Sequence, residues 1–261
     1  MIRRLAAAAA AFALSWLALC ARTGPACAET FLEHSAEAQM QLDFHVPDAA
    51  LAAMLPAGWE PNVATAGPAK DANLRMVFID RVDITGPDSK PLGRGSNQLV
   101  YLAIPIKQPS TGTLGQMIIG GITADPSDAP GPFGVYLPAS QHSMERSTVA
   151  GAQPTLTHEN WEFAAASGER MEVHLTYERR GAPKANAEMK FFSATNPSVY
   201  QIFKYERALD IMRNATVNVG DRVKEFSYKA AGGRIGPLFD GTERVLSIDA
   251  IHWSNRNTFT P

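Results

Sequence analysis

The chain has 261 residues, of which 45% are hydrophobic and 19% are charged, and its formal net charge is −2 at pH 7. This hydrophobic content is typical of a folded globular protein rather than a disordered one. The near-neutral charge provides no basic surplus for neutralising phosphates, so we expect no nucleic-acid partner. The length suits one large domain or two small ones.

The first residues contain the three parts of a secretory signal peptide. A basic start, MIRR, precedes an apolar run from Leu5 to Cys20, and a small-x-small end closes at Ala28. The apolar run is shorter than the ~20 residues of a comfortable membrane span. We expect cleavage after Ala28 and a periplasmic or secreted protein of residues 29–261, with no membrane span once the signal is removed. An uncleaved anchor helix and lipidation at Cys20 are the alternatives.

Both cysteines of the chain, Cys20 and Cys27, fall inside this predicted leader. The mature chain would have none, which excludes disulfides, thiolate catalysis and cysteine metal sites. The leader also carries three arginines and no acidic residue. Its removal leaves 21 basic and 26 acidic side chains and a formal charge of −5.

A helix is predicted after Pro47, because Ala50, Leu51, Met54 and Leu55 share one helical face. Proline suits the first helical turn, where its missing N–H is not needed. The Pro-Ala-Gly sequence that follows would end this helix.

Strands are predicted for most of the rest of the chain, where β-rich runs are bounded by Gly, Pro, Asp and Ser. Two of them alternate apolar and polar residues on either side of AASG and predict a hairpin. The predicted strands are Leu74–Ile84, Gln98–Lys107, Gly115–Ala124, Pro132–Pro138, Thr155–Ala165, Glu169–Arg180, Glu188–Ala194, Val223–Gly232 and Glu243–Trp253.

A second helix is predicted over Asn196–Asn214, with Asn196 as its cap and Pro197 in its first turn. No internal repeat or low-complexity linker divides the chain. We therefore expect one α+β, mostly β domain: a large antiparallel sheet, closed into a barrel, with a few peripheral helices.

Several common site motifs are absent from the sequence. The six histidines form no H-E-x-x-H pair. His158 and His174 can meet across the predicted hairpin, but two partly exposed histidines explain that pairing without a metal. There is no G-x-S-x-G nucleophile motif, and IIGGITA lacks the lysine and spacing of a phosphate-binding loop. We expect no metal and no cofactor.

Lys184 stands out because it follows Gly-Ala-Pro, with Arg179 and Arg180 just upstream. A lysine near other cations can lose its proton and attack a carbonyl carbon. A lysine after Gly and Pro can also be a solvated turn residue between two strands.

The order of these segments resembles the acetoacetate decarboxylase-like superfamily. The matching segments are the proline-led helix VPDAALAAMLPAGWEP, the strand SNQLVYLAIPI and the segment GVYLP, residues Gly134–Pro138. The motifs are short, and their order is kept over most of the mature chain. The resemblance implies a cone-shaped antiparallel barrel of strands that encloses a small apolar pocket.

The resemblance also implies where a Schiff-base lysine and a carboxylate would lie. In the favoured alignment GAQPT takes the place of the family's G-F-P-K, so that Thr155 replaces the lysine, and Gln98 replaces the carboxylate of N-E-L. Glu145–Arg146 takes the place of a polar pair. A threonine cannot form an imine, and an amide does not shuttle protons at neutral pH. The other alignment uses GAPK and makes Lys184 the nucleophile.

The resemblance therefore favours a protein that binds a small, largely apolar ligand, keto acids included, without Schiff-base catalysis. Gln98, Glu145, Arg146 and Thr155 would supply the polar contacts. The alternative is a carbon–carbon or carbon–oxygen lyase, a decarboxylase, aldolase or dehydratase, that uses Lys184 as nucleophile on a keto acid. An enzyme could instead use the pocket for imine-free chemistry, with Glu145 as acid or base. Whether the chain forms a homo-oligomer stays open.

Overall fold

A computed structural model describes residues 28–128, 131–149, 151 and 154–261. Nearly all of the predicted signal peptide lies outside these residues. The described chain forms one short helix, α1 (Asp48–Ala52), two 3₁₀ turns (Pro126–Asp128 and Gly236–Leu238) and the following strands: β1 (Thr30–His45), β2 (Glu60–Pro61), β3 (Leu74–Thr85), β4 (Asn97–Gln108), β5 (Thr113–Thr123), β6 (Tyr136–Thr148), β7 (Leu156–Ala165), β8 (Arg170–Glu178), β9 (Lys184–Ser193), β10 (Tyr200–Asn214), β11 (Val223–Ala231) and β12 (Arg244–Thr260).

Seven of these strands close into a ring, in the order β1-β3-β4-β5-β9-β10-β12 and back to β1. Six of the seven junctions are antiparallel. The last is a short parallel junction, in which residues 116–118 of β5 pair with residues 191–193 of β9. The predicted mostly β fold, built on a closed and largely antiparallel sheet, is confirmed.

A second antiparallel sheet, β6-β7-β8-β11, branches from the ring. It is joined to the ring by a short parallel pairing between residues 121–123 of β5 and residues 136–138 of β6. Strands β7 and β8 are the predicted hairpin, with residue bounds close to those expected. A large apolar core lies between this sheet and one outer side of the ring.

Alternation along each strand sends side chains to two different environments. In β3, Met76 and Phe78 enter the core beneath the second sheet, whereas Ile79 belongs to a smaller cluster. In that cluster the rings of Tyr101 (β4) and Phe191 (β9) are 6.2 Å apart, although β5 lies between their strands. Contacts across an intervening strand show that this second face points into the ring.

The interior of the ring holds charged side chains as well as apolar ones. Arg81 Nη2 is 2.6 Å and Arg256 Nη2 is 3.1 Å from the same oxygen of Glu33, and Arg256 is also 3.0 Å from Glu37. Burial opposes the charge on Arg256, but Glu37 and Glu33 outweigh it and raise the pKa of that arginine. Burial, followed by the nearby Arg256 charge, lowers the pKa of Arg81. The ring is therefore filled by a buried ion network.

One sequence prediction about local structure is wrong, and one strand was missed. The helix expected over Asn196–Asn214 is strand β10, which pairs with β9 on one side and β12 on the other. Its Phe203 and Tyr205 enter the ring, while Lys204 and Glu206 point outward. The residues therefore alternate with the two-residue period of a strand, although their apolar positions also fit one face of a helix. Strand β1 was not predicted, because its inward face carries buried polar residues instead of apolar ones.

Among the described residues, no helix is both long and apolar enough to span a membrane.

We predict that Arg256→Met lowers the free energy of unfolding by about 3–5 kcal/mol, because it leaves two buried carboxylates sharing only Arg81. Urea denaturation measures this change. The control is Arg244→Met, an exposed arginine on the same strand, for which a change within about 0.5 kcal/mol is expected. Equal stability of the two variants would contradict the buried network.

We also predict a pH-dependent gain in stability from Asp249→Asn. Burial, together with the Asp43 carboxylate, raises the pKa of Asp249 to about 7, against hydrogen bonds from Ser247 and Gln41. The folded chain thus keeps a proton that the unfolded chain releases near pH 4. The stabilisation is complete below pH 4 and is lost as the pH rises to about 7.

The asparagine variant lacks this loss. Its free energy of unfolding, relative to the wild type, should increase by about 2–4 kcal/mol between pH 4 and pH 8. Denaturation at the two pH values measures the difference, with the exposed Asp83→Asn as the control. A difference that does not change with pH would show that Asp249 is already ionised when buried.

Candidate functional site

Thr155, one of the two candidate positions for a family lysine, lines a surface cleft, whereas Lys184 does not. This basic cleft has a volume of about 460 Å³ and is lined by Thr155, Arg179, Arg180, Gly181, Ala182, Ala208, His252 and Trp253. Lys184 lies opposite Ala208 in the β9–β10 ladder and so shares its outward face. The two candidate positions therefore lie on neighbouring parts of the fold, but only Thr155 lines the cleft.

Lys184 is not in the environment that a Schiff-base lysine needs. Its side chain is 62% exposed, and it forms an ion pair with Glu206 on the neighbouring strand. A nucleophilic lysine is activated by burial or by a neighbouring cation, and Lys184 lies instead in water beside a carboxylate. Lys184 is the first residue of strand β9 and follows directly after Gly-Ala-Pro, at the exposed end of that strand.

Glu145 and Arg146 lie on strand β6, where the sequence suggested a polar pair outside the strands. Glu145 is exposed and lies opposite Asn160 of β7. Arg146 lies opposite Glu159, and its Nε donates to Glu159 Oε1 at 2.7 Å. The two residues therefore point to opposite faces, and only Arg146 contributes to the polar group beneath the second sheet.

Glu159 is a buried carboxylate that the sequence reasoning missed. It also accepts hydrogen bonds from Tyr177 Oη at 2.9 Å and from Trp161 Nε1 at 3.1 Å. Burial, followed by the Glu159 charge, raises the pKa of Tyr177. For Arg146, burial opposes the charge, but Glu159 outweighs it and raises the pKa. The sequence pattern of β7 could have revealed this carboxylate, because apolar and polar residues alternate along this strand and Glu159 is two residues before Trp161, on the same buried face.

Gln98 joins the same polar region from the ring. Its Nε2 donates to Asp80 Oδ1 at 3.2 Å across the β3–β4 ladder. The Asp80 charge also contributes to the raised pKa of Arg146, after the larger effects of burial and Glu159. The structure thus brings Gln98 and Arg146 into one polar cluster and leaves Thr155 in the basic cleft.

His158 and His174 lie near each other on the outer face of the β7–β8 hairpin, as the sequence suggested. The Nδ1 atom of His158 is 2.9 Å from Thr176 Oγ1, and that of His174 is 3.2 Å from Asn160 Oδ1. Within the described ranges, no cluster of three or more His, Cys, Asp or Glu side chains has the geometry to hold a metal ion.

A different cleft, which we call the apolar cleft, lies where the second sheet leaves the ring. It has a volume of about 180 Å³ and is lined by Ile119, Gly120, Gly121, Ile122, Gly134, Val135, Tyr136, Leu137, Glu169, Met171, Arg234 and Ile235. The predicted GVYLP segment forms one wall. The Ser167 hydroxyl donates to Glu169 and lowers the pKa of that carboxyl, so Glu169 is an anion at neutral pH.

Adjacent glycines shape the floor of the apolar cleft. A Cβ atom on Gly121 would come within 2.6 Å of the Tyr136 ring and 2.7 Å of the Val100 carbonyl oxygen. A Cβ atom on Gly120 would meet only Ile235, at 3.8 Å, which is an ordinary contact. Gly121 is therefore needed for the packing of β6 on β5, whereas Gly120 leaves open space for a ligand.

Comparison with solved structures identifies the fold. The enduracididine biosynthesis enzyme MppR with HEPES buffer bound has a TM-score of 0.54 at 14% identity, over 92% of this chain and 90% of that chain. An acetoacetate decarboxylase-like enzyme from Sphingomonas wittichii RW1 has a TM-score of 0.52 at 14% identity, over 88% and 90%. MppR complexed with pyruvate has a TM-score of 0.51 at 12% identity, over 92% of both chains.

No protein-family model and no curated protein sequence matches the chain. At these low identities the solved structures establish the fold alone. The chain has the acetoacetate decarboxylase-like fold, which confirms at that level the resemblance found in the sequence.

We predict that Gly121→Ala lowers the free energy of unfolding by about 1–3 kcal/mol, because its methyl group overlaps a ring and a backbone carbonyl. Gly120→Ala, the neighbouring control, should be neutral or slightly stabilising. Thermal denaturation of both variants measures the contrast. If both substitutions are tolerated equally, the close contact between β5 and Tyr136 is not present.

Proposed function

We propose that this chain is an exported binding protein that holds a small, largely apolar carboxylate, such as a keto acid, in the apolar cleft without a Schiff base. The observation that carries this proposal is the lining of the cleft. Six aliphatic side chains surround open space above Gly120, and the lining contains no lysine within the described residues. Pockets of this kind, apolar with a few polar groups, are the usual sites for small ligands.

The charged groups of the apolar cleft favour a ligand with a carboxylate head. Arg234 is exposed at the rim and can present its guanidinium to two carboxylate oxygens. Glu169 is held by Ser167 and by the backbone N–H of Arg234, and as an anion it disfavours a ligand with more than one negative group. A ligand with one carboxylate at the rim and an apolar body inside matches this arrangement.

The structural neighbours support a keto acid as the ligand class. MppR, which has the same fold, has been solved in complex with pyruvate. A shared fold at 12% identity does not carry over a reaction, and sites must be argued from their own residues. The lining of the apolar cleft accepts a keto acid with a longer aliphatic tail than pyruvate.

A second candidate function is a lyase that uses Lys184. Two observations favour it: Lys184 pairs with Ala208, which lines the basic cleft together with two arginines, and the structural neighbours are enzymes. In this reading Glu145 would act as acid or base from its exposed position on β6. Substrate binding would then have to release Lys184 from Glu206 and remove it from water.

We predict that the protein binds 4-methyl-2-oxopentanoate and that Gly120→Leu abolishes binding by filling the apolar cleft. Isothermal titration calorimetry measures the affinity, and a loss of at least about tenfold is expected from steric overlap in a cleft this small. Lys184→Ala is the control and should bind like the wild type. A control variant that also loses binding would favour the lyase.

The same sample separates the two functions chemically. Borohydride treatment in the presence of the keto acid should leave every lysine unmodified by mass spectrometry, because the bound acid forms no imine. A reduced adduct on Lys184 would overturn the proposal and establish the Schiff-base route. N-terminal sequencing of the protein made in its host tests export separately, with Glu29 as the expected first residue.

A further inference from the structure

The basic cleft has positive charge that the described part of the chain does not neutralise. Arg179 and Arg180 are both exposed, and neither forms an ion pair with any described residue. The acidic groups close to the cleft are already occupied. Glu206 pairs with Lys184, and Asp210 is bound by Arg222.

Asp210 is firmly held and does not compete for the two exposed arginines. Burial raises its pKa, but the neighbouring His252, the Arg222 guanidinium and the backbone N–H of Arg180 outweigh that effect and lower the pKa to about 2. The Arg180 side chain takes no part in this interaction, because only its backbone nitrogen donates to Asp210. The net charge facing the cleft is therefore positive.

Two further side chains give the basic cleft a shape suited to a ring-bearing ligand. Trp253 lines it and is 40% exposed, an unusual position for a large aromatic side chain. His252 lies beneath it, stacked on Tyr177 with ring centroids 6.1 Å apart. The His252 Nε2 atom is 3.8 Å from Asp210, which is close enough to act on that carboxylate electrostatically but too long for a hydrogen bond, and it is buried without a hydrogen-bond partner among the described residues.

We propose that the basic cleft binds the carboxylate of a small aromatic acid, at a site separate from the apolar cleft. An arginine guanidinium binds a carboxylate through two parallel hydrogen bonds, and here two arginines are available. The indole of Trp253 offers a flat surface on which a ring can stack. The two clefts have no lining residue in common, so each can be occupied or disrupted alone.

Benzoate is a suitable probe, titrated calorimetrically into the full-length mature protein at low ionic strength. We expect saturable binding at a site that persists in Gly120→Leu, the variant whose apolar cleft is filled. Arg180→Gln should weaken it by about tenfold or more, since a charge-assisted hydrogen bond to a buried or stacked ligand is lost. Trp253→Leu should weaken benzoate more than acetate, because acetate has no ring to stack.

Arg244→Gln is the matched control, because it removes an exposed arginine that lines neither cleft. It should leave benzoate binding unchanged, and thermal denaturation should show that all variants remain folded. Three results would overturn the proposal: no saturable benzoate binding by the wild type, equal affinity for inorganic phosphate and benzoate, or wild-type affinity in both Arg180→Gln and Arg179→Gln.

Discussion

The buried ion network inside the ring is the constraint on which the rest of the structure depends. Arg81 and Arg256 share the carboxylates of Glu33 and Glu37, and all four come from strands that must be adjacent for the charges to meet. Removing such charges from water is costly unless each is paired, so the network specifies the register of β1 against β3 and β12. A ring filled in this way has little room for a ligand at the level of the network.

The apolar cleft and the basic cleft lie outside the ring, whereas a third cleft of about 230 Å³, lined in part by Asp43, Arg75 and Gln116, opens at one end of the ring itself. The parallel junction of β5 with β6 creates the apolar cleft, because glycines at that point keep side chains out of the space. The basic cleft forms at the far end of the β7–β8 hairpin, where β9 and β10 pass beside it. The same fold thus presents one apolar and one cationic site, and each site has its own candidate ligand.

Much of the fold could be predicted from the sequence, because β3, β4, β5, β7 and β8 alternate or are continuously apolar between clear turn residues. Strand β1 could not, since its inward face reads Glu37, Gln39, Gln41 and Asp43, a pattern that resembles a solvated surface. The strand β10 was mistaken for a helix because its apolar residues satisfy both periods. Only its pairing with two neighbours, which a local pattern does not contain, decides between them.

The sites were harder to predict than the strands. Thr155, Lys184, Arg179 and Arg180 were singled out from short motifs, and the structure places three of them, Thr155, Arg179 and Arg180, around one cleft. Glu159 and the glycines of the apolar cleft were missed, because their roles depend on which strands pack face to face. Exposure was the deciding property for Lys184, and a motif of four residues does not determine it.

A crystal structure of the protein with 4-methyl-2-oxopentanoate tests the central claim most directly, namely that ligands bind outside a filled ring and without a covalent bond. The account predicts electron density for the intact acid over Gly120, with its carboxylate toward Arg234. Continuous density from the Lys184 Nζ atom to the acid, or density for the acid inside the ring beside Arg256, would contradict it.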